Sequence, residues 1–246
     1  MCDVKKPESR LIAALDVASF QEAERWVGIL CPRLTHFKVG SILFTAAGPD
    51  VLEMIRRKGG EVFLDLKFHD IPNTVASACR AATRPGVFMM NLHIVGGGAV
   101  LREAAASVRE EAAQKKLRKP ILLGVTVLTH LDKEALGRLG WVAAGKLEDT
   151  VVHLAKFAQE NGLDGVVSSP QEIRAIRESC GEDFCIVTPG IRPSGTAVHD
   201  QKRVGSPKEA LRAGADYLVI GRPILESKDP LKLIDAIVKE IQEGSY

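Results

Sequence analysis

Several things are scarce in this chain of 246 residues. There are five cysteines (Cys2, Cys31, Cys79, Cys180 and Cys185), an odd number, widely spaced and without a CxxC pair. That pattern excludes a disulfide framework and a thiolate metal site, and it suits reduced thiols in a cytoplasmic protein. No apolar run approaches the roughly 20 residues that a bilayer span needs, and the first residues, Met-Cys-Asp-Val-Lys-Lys, lack the apolar centre of a secretory leader. The formal net charge is only +2 and basic clusters such as Arg56-Arg57-Lys58 are short. Charge therefore gives no support to nucleic-acid binding. Aromatic residues make up 5%. The expectation is a soluble cytoplasmic protein with neither a membrane nor a nucleic acid as partner.

Small and branched aliphatic residues are plentiful, and the hydrophobic fraction is 46%, enough for a sizeable core. Short apolar runs alternate with amphipathic stretches from end to end. The spacing predicts strands over 11–17, 36–40, 61–67, 87–94, 121–128, 165–169, 184–191 and 217–221. Helices are expected over 19–30, 49–58, 73–84, 99–116, 147–161, 170–179, 207–213 and 230–243. Ser19, Asn73 and Ser206 followed by Pro207 stand where caps or first-turn signals belong. Unbroken apolar runs, without clean alternation, indicate strands covered on both faces. Eight β-then-α units of this size predict an α/β protein of the closed (β/α)₈ TIM-barrel type. An open doubly wound sheet is the alternative, but Asp16-Val17-Ala18-Ser19 is not the glycine-rich turn it usually carries. No composition break divides the chain, so a single domain over 1–246 is expected, with residues 1–9 a loose arm. The connections 129–146 and 192–206 are long, and the second is rich in glycine, proline, serine and charge, as lids and binding loops often are.

Such barrels carry their active sites at the C-terminal ends of the strands. The polar residues of the predicted strands gather there: Asp16, Lys38, Asp65 and Lys67, His93, Thr126 and Thr129, then Thr188 to Arg192, then Gly221 and Arg222. Each has a plainer reading on its own. Asp16 suits a helix cap, His93 a hydrogen-bonded structural histidine, Thr126 a simple β-former and Arg222 a surface ion pair. Their common rim argues for more.

The stretch Asp65-Leu66-Lys67-Phe68-His69-Asp70-Ile71-Pro72-Asn73-Thr74 is the most informative. Residues two apart on a strand share a face, so Asp65 and Lys67 point the same way, with Asp70 just beyond. Flanking carboxylates favour a protonated lysine. Such a lysine is a poor nucleophile and well suited to hand a proton to a carbanion. A salt-bridged triad that only orders a strand end has the same spacing. Strands seven and eight form the usual phosphate corner of these barrels. Gly190 and Gly221 admit backbone N–H groups to an anion, and Arg192 and Arg222 offer bidentate contacts.

Over nearly its whole length the chain resembles the bacterial orotidine 5′-phosphate decarboxylases. The resemblance rests on Leu15-Asp16, on Phe37-Lys38-Val39-Gly40, on the 65–74 block with its Asp-x-Lys-x-x-Asp-Ile-Pro-Asn-Thr pattern, and on Thr188-Pro189-Gly190-Ile191-Arg192-Pro193 with Ile220-Gly221-Arg222-Pro223. It implies a cofactor-free, metal-free decarboxylation of orotidine 5′-phosphate to uridine 5′-phosphate, the last step of de novo UMP (pyrimidine) biosynthesis. Lys67 would protonate C6, within a charge array of Lys38, Asp65, Lys67 and Asp70. The resemblance also implies a homodimer in which Asp70, Ile71 and Thr74 serve the neighbouring subunit's site. Asp16 and Lys38 would contact the ribose, Thr129 the pyrimidine edge and Pro189 its pocket, while Arg192, Gln201, Arg222 and the Gly221 backbone would hold the phosphate. The chain reads Leu128-Thr129-His130 where the family often has Leu-Thr-Ser. Two other readings stand beside this one. The nearer is a magnesium-dependent sugar-phosphate aldolase or decarboxylase of the same lineage, such as 3-hexulose-6-phosphate synthase, with Asp65, His69 and Asp70 as hard-metal ligands. The second is a noncatalytic phosphate or nucleotide sensor built on a barrel.

Overall fold

The computed structural model describes residues 6–141, 146–193 and 205–243. Eight parallel strands pair in chain order and β8 returns to β1, closing the barrel. They are β1 (Leu11–Ala14), β2 (His36–Gly40), β3 (Glu61–Phe68), β4 (Val87–His93), β5 (Ile121–Val125), β6 (Gly165–Val167), β7 (Cys185–Thr188) and β8 (Tyr217–Ile220). The helices among the described residues are α1 (Phe20–Leu30), α2 (Ser41–Ala47), α3 (Asp50–Arg57), α4 (Pro72–Ala82), α5 (Gly98–Gln114), α6 (Lys133–Arg138), α7 (Leu147–Glu160), α8 (Ile173–Cys180), α9 (Pro207–Arg212), α10 (Arg222–Leu225) and α11 (Pro230–Gln242). Every expected strand and helix is present, with ends that differ by a few residues. None of the described helices is long and apolar enough to cross a membrane.

The two faces of the strands build two cores. Inward-facing Ile12, Ala14, Phe63, Met89, Leu123, Val187 and Val219 fill the barrel. Outward-facing residues such as Leu11, Phe37, Val62, Leu122 and Ile186 pack with the helices around it. This double burial is why the strands lack alternation. Four cysteines, Cys31, Cys79, Cys180 and Cys185, are free thiols, and burial pushes Cys79 up to about 12.

Local chemistry sets the helix starts. The Ser19 hydroxyl accepts from the Glu22 amide at the head of α1, and Ser206 with Glu209 forms a capping box on α9. Asn73 does not cap α4. Ile71 holds the extended cap position and Pro72 opens the helix, its fixed φ and missing N–H costing nothing there. Of the arm expected over 1–9, residues 7–9 belong to a 3₁₀ turn, Pro7–Arg10, that leads into β1.

Candidate active site

A cleft of about 230 Å³ opens at the C-terminal ends of the strands. Ala14, Phe63, Val125, Val167 and Val219 form its apolar floor, and Asp16, Lys38, Asp65, Lys67, Thr129, Pro189, Arg192, Gly221 and Arg222 line it. With Gly190, which also lines it, ten of the residues singled out from the sequence thus meet in one place. Gln201 lies outside the described residues, as does most of the long connection after β7.

Asp65 is the centre of the charge array. Its Oδ1 accepts from Lys67 Nζ at 2.6 Å, and Lys38 Nζ lies 3.3 Å from its Oδ2. Lys38 also donates to Asp16 Oδ1 at 2.9 Å. The chain of charges therefore runs Asp16–Lys38–Asp65–Lys67. Gly40 makes room for it, since a Cβ there would stand 3.0 Å from Lys38 Nζ. The cap of α1 is Ser19, so Asp16 is left to Lys38. Lys38 and Asp65 are both buried. Burial alone would push Asp65 toward the neutral acid, but Lys38, Lys67 and the Asn91 amide outweigh it and hold the carboxyl below its ordinary value. Burial opposes the charge of Lys38 in the same way. The Asp65 and Asp16 carboxylates reverse that effect and raise its pKa.

The path of β3 differs from the plain strand that the two-residue spacing implies. Its ladder with β4 pairs Leu64 with Met90 and Phe68 with Leu92, so Asp65, Leu66 and Lys67 all stand opposite Asn91. Lys67 sits in this bulge at φ 51°, a left-handed backbone uncommon outside glycine. Asn91 is fully buried and was not singled out from the sequence. Its signal is a polar residue inside the otherwise apolar Val87–Leu92 run.

Asp70, Ile71 and Thr74 do not join the cleft of their own chain. Asp70 is exposed and its Oδ1 accepts from the Ile71 amide at 2.6 Å. Within the chain, the two carboxylates therefore do not bracket Lys67; two lysines bracket Asp65 instead. Ile71 is 66% exposed. Thr126 is also apart, since its hydroxyl donates to the Val167 carbonyl at 2.9 Å and joins β5 to β6. Among the described residues no hydrogen bond holds the His93 ring. It packs edge-on against His69 with ring centroids 5.3 Å apart. Burial, His69 and Lys67 lower its pKa, which favours a neutral ring.

The array couples stability to pH at both ends. Asp65, depressed in the folded state, contributes stability above the ordinary carboxylate range near ~4 and loses it as pH falls through its folded value. Lys38, raised, contributes below about 10.4 and loses it as pH rises through its folded value. Asp65→Asn removes the first group and the larger carboxylate influence on the second. The variant is expected to show shallower losses on both limbs when urea midpoints are measured against pH. Limbs as steep as those of the unmodified protein would contradict the linkage.

A closed (β/α)₈ barrel with a buried lysine–aspartate array at its C-terminal rim defines an enzyme of the TIM-barrel class. The chain belongs to the orotidine 5′-phosphate decarboxylase / HUMPS family, whose model matches residues 9–237. It is 54% identical over 235 residues to the orotidine 5′-phosphate decarboxylase of Moorella thermoacetica, covering 96% of this chain and 93% of the relative. The decarboxylase of Pelobacter propionicus is 51% identical, with 96% of each chain covered. Among solved structures, the orotidine 5′-phosphate decarboxylase of Lactobacillus acidophilus superposes with a TM-score of 0.82 at 34% identity, over 95% of this chain and 99% of that one.

Proposed function

We propose that this chain decarboxylates orotidine 5′-phosphate to uridine 5′-phosphate without a cofactor, the observation that carries this reading being the Lys38–Asp65–Lys67 array on the cleft. Breaking the bond from C6 to the carboxyl releases carbon dioxide and leaves the electron pair on C6, where the ring has no easy electron sink. The Lys67 ammonium stabilises that pair electrostatically and then transfers its proton to C6. The amine regains a proton from water. Asp65 holds Lys67 at 2.6 Å and lies beside the departing carboxylate. Asp16 and Lys38 take the ribose hydroxyls, Thr129 the pyrimidine edge and Pro189 a wall of its pocket. Arg192, Gln201, Arg222 and the Gly221 backbone hold the phosphate.

The magnesium-dependent alternative is less well supported. Both oxygens of Asp65 already face ammonium or amide donors, an arrangement suited to a charge array more than to a hard cation. The similar curated relatives also carry the decarboxylase name. The test is incubation with orotidine 5′-phosphate and excess chelator, following loss of the orotate absorbance. Rapid loss with uridine 5′-phosphate as product is expected. Absence of turnover by the folded protein would overturn the reading.

The site is completed by a second copy of the chain. Asp70 does not line its own cleft, and Ile71, next to it in the chain, is 66% exposed and offers apolar surface. In the resulting homodimer Asp70, Ile71 and Thr74 enter the partner's cleft. Mixing inactive Lys67→Ala with inactive Asp70→Ala subunits then restores activity, to about a quarter of the unmodified level if they pair at random, because half the dimers carry one intact site. If the mixture stays as inactive as its parents after subunit exchange, Asp70 acts within its own chain.

A further inference from the structure

We propose that Asn91 is the positioning residue of the array, its side-chain amide locking the Lys67 backbone and the Asp65 carboxylate into one geometry. This rests on the decarboxylase reading for its kinetic consequences, though not for its structural ones. At the bulge Lys67 pairs with no residue of β2 or β4 in the ladders, and a backbone N–H withdrawn from water needs a partner. Asn91 Oδ1 accepts it at 2.8 Å, while Asn91 Nδ2 donates to Asp65 Oδ1 at 2.7 Å. The orientation of the amide follows from these partners, one a donor and the other an acceptor. Asn91 is fully buried, so water does not replace either bond without entering the core.

The consequence is geometric. The amide holds Lys67 at φ 51°, and the bulge turns its side chain back over the rim toward Asp65 Oδ1. One oxygen of Asp65 thus receives both the ammonium and the Asn91 amide, which leaves the carboxylate little freedom to rotate. His69 and His93 pack edge-to-face, and among the described residues neither ring hydrogen-bonds to Asp65. Asn91 does not line the cleft and acts through the two residues that do.

Two variants separate the bonds. Asn91→Ala removes both. Asn91→Asp keeps the volume and the acceptor for the Lys67 N–H, but replaces the donor to Asp65 with a like charge. Both are expected to lose kcat, Asn91→Ala by on the order of 100-fold, as displacement of a reacting group by about 1 Å implies. The dissociation constant of uridine 5′-phosphate is expected to stay within about threefold, since ribose and phosphate contacts lie elsewhere. Crystal structures of the variants supply a readout that needs no turnover: Lys67 leaves the left-handed region in Asn91→Ala and keeps it in Asn91→Asp. A kcat within about twofold of the unmodified enzyme, or Lys67 unmoved in Asn91→Ala, would overturn the proposal. So would an equal loss of nucleotide affinity in both variants, the mark of a merely structural residue. If the unmodified protein does not turn over orotidine 5′-phosphate, the decarboxylase reading falls and the crystallographic comparison still decides the role of Asn91. Should Asn91→Ala fail to fold, the kcat and nucleotide affinity of Asn91→Asp decide.

Discussion

Lys67→Ala is expected to remove decarboxylation while leaving a folded barrel. Two contributions disappear together, the fixed positive charge beside C6 and the proton that quenches the carbanion. General acid catalysis contributes about 10²–10⁴ and a preorganised electrostatic contact about 10²–10³. The two are one group acting once, so the loss is set at no less than on the order of 10⁴ in kcat, about 5 kcal/mol of transition-state stabilisation. The fold survives because Asp65 is not orphaned. Lys38 and Asn91 still reach its two oxygens at 3.3 and 2.7 Å. Had Lys67 been its only partner, the substitution would strand a buried carboxylate and cost about 3–5 kcal/mol of stability. The check is a stopped assay for uridine 5′-phosphate beside a thermal melt. Turnover within tenfold of the unmodified enzyme would remove Lys67 as proton donor, and loss of the melting transition would show that Asn91 and Lys38 do not support Asp65 as described.

The barrel was legible because its strands are buried on both faces and so appear as continuous apolar runs. The same feature blurred their ends. Leu15, Val17, Val127 and Ile191 are buried yet lie past the last ladder residue of their strands, so the apolar pattern overran β1, β5 and β7. Helix α2 escaped notice because it starts directly from Gly40 with no side-chain cap and buries only Leu43. Helix α6 carries a readable signal in Asp132, whose carboxylate accepts from the Ala135 amide, but it spans only six residues, one of them Gly137. In the site, residue types at strand ends identified Asp16, Lys38, Asp65 and Lys67. What period-two reasoning could not supply was the bulge, which depends on a side chain of the next strand. Nor does one chain contain the arrangement expected of Asp70, whose carboxylate accepts from the Ile71 amide and does not line its own cleft.

Orotidine, the substrate without its phosphate, is expected to react with kcat/KM lower by on the order of 10³–10⁵, and kcat itself is expected to fall. Two charge-assisted contacts from Arg192 and Arg222, at about 1.5–3 kcal/mol each, with the Gly221 amide beside them, set that range. The phosphate is remote from C6, so its contacts would be plain affinity if none of their energy were spent at the ring. Asp16, Lys38 and Asp65 line the same cleft as the glycine–arginine corner of β7 and β8. Binding energy at the phosphate therefore holds the ring against the array and offsets the cost of drying the site, which appears in kcat. Arg222→Ala separates this mechanism from ordinary screening. It should slow orotidine 5′-phosphate by about 2–4 kcal/mol, roughly 30- to 1,000-fold, and leave orotidine almost unchanged, because the arginine has nothing to hold there. The two losses are therefore strongly non-additive in a cycle of substrate against side chain. Equal slowing of both substrates would mean that Arg222 shapes the site rather than binding phosphate, and the corner would then owe its affinity to Arg192 and the backbone.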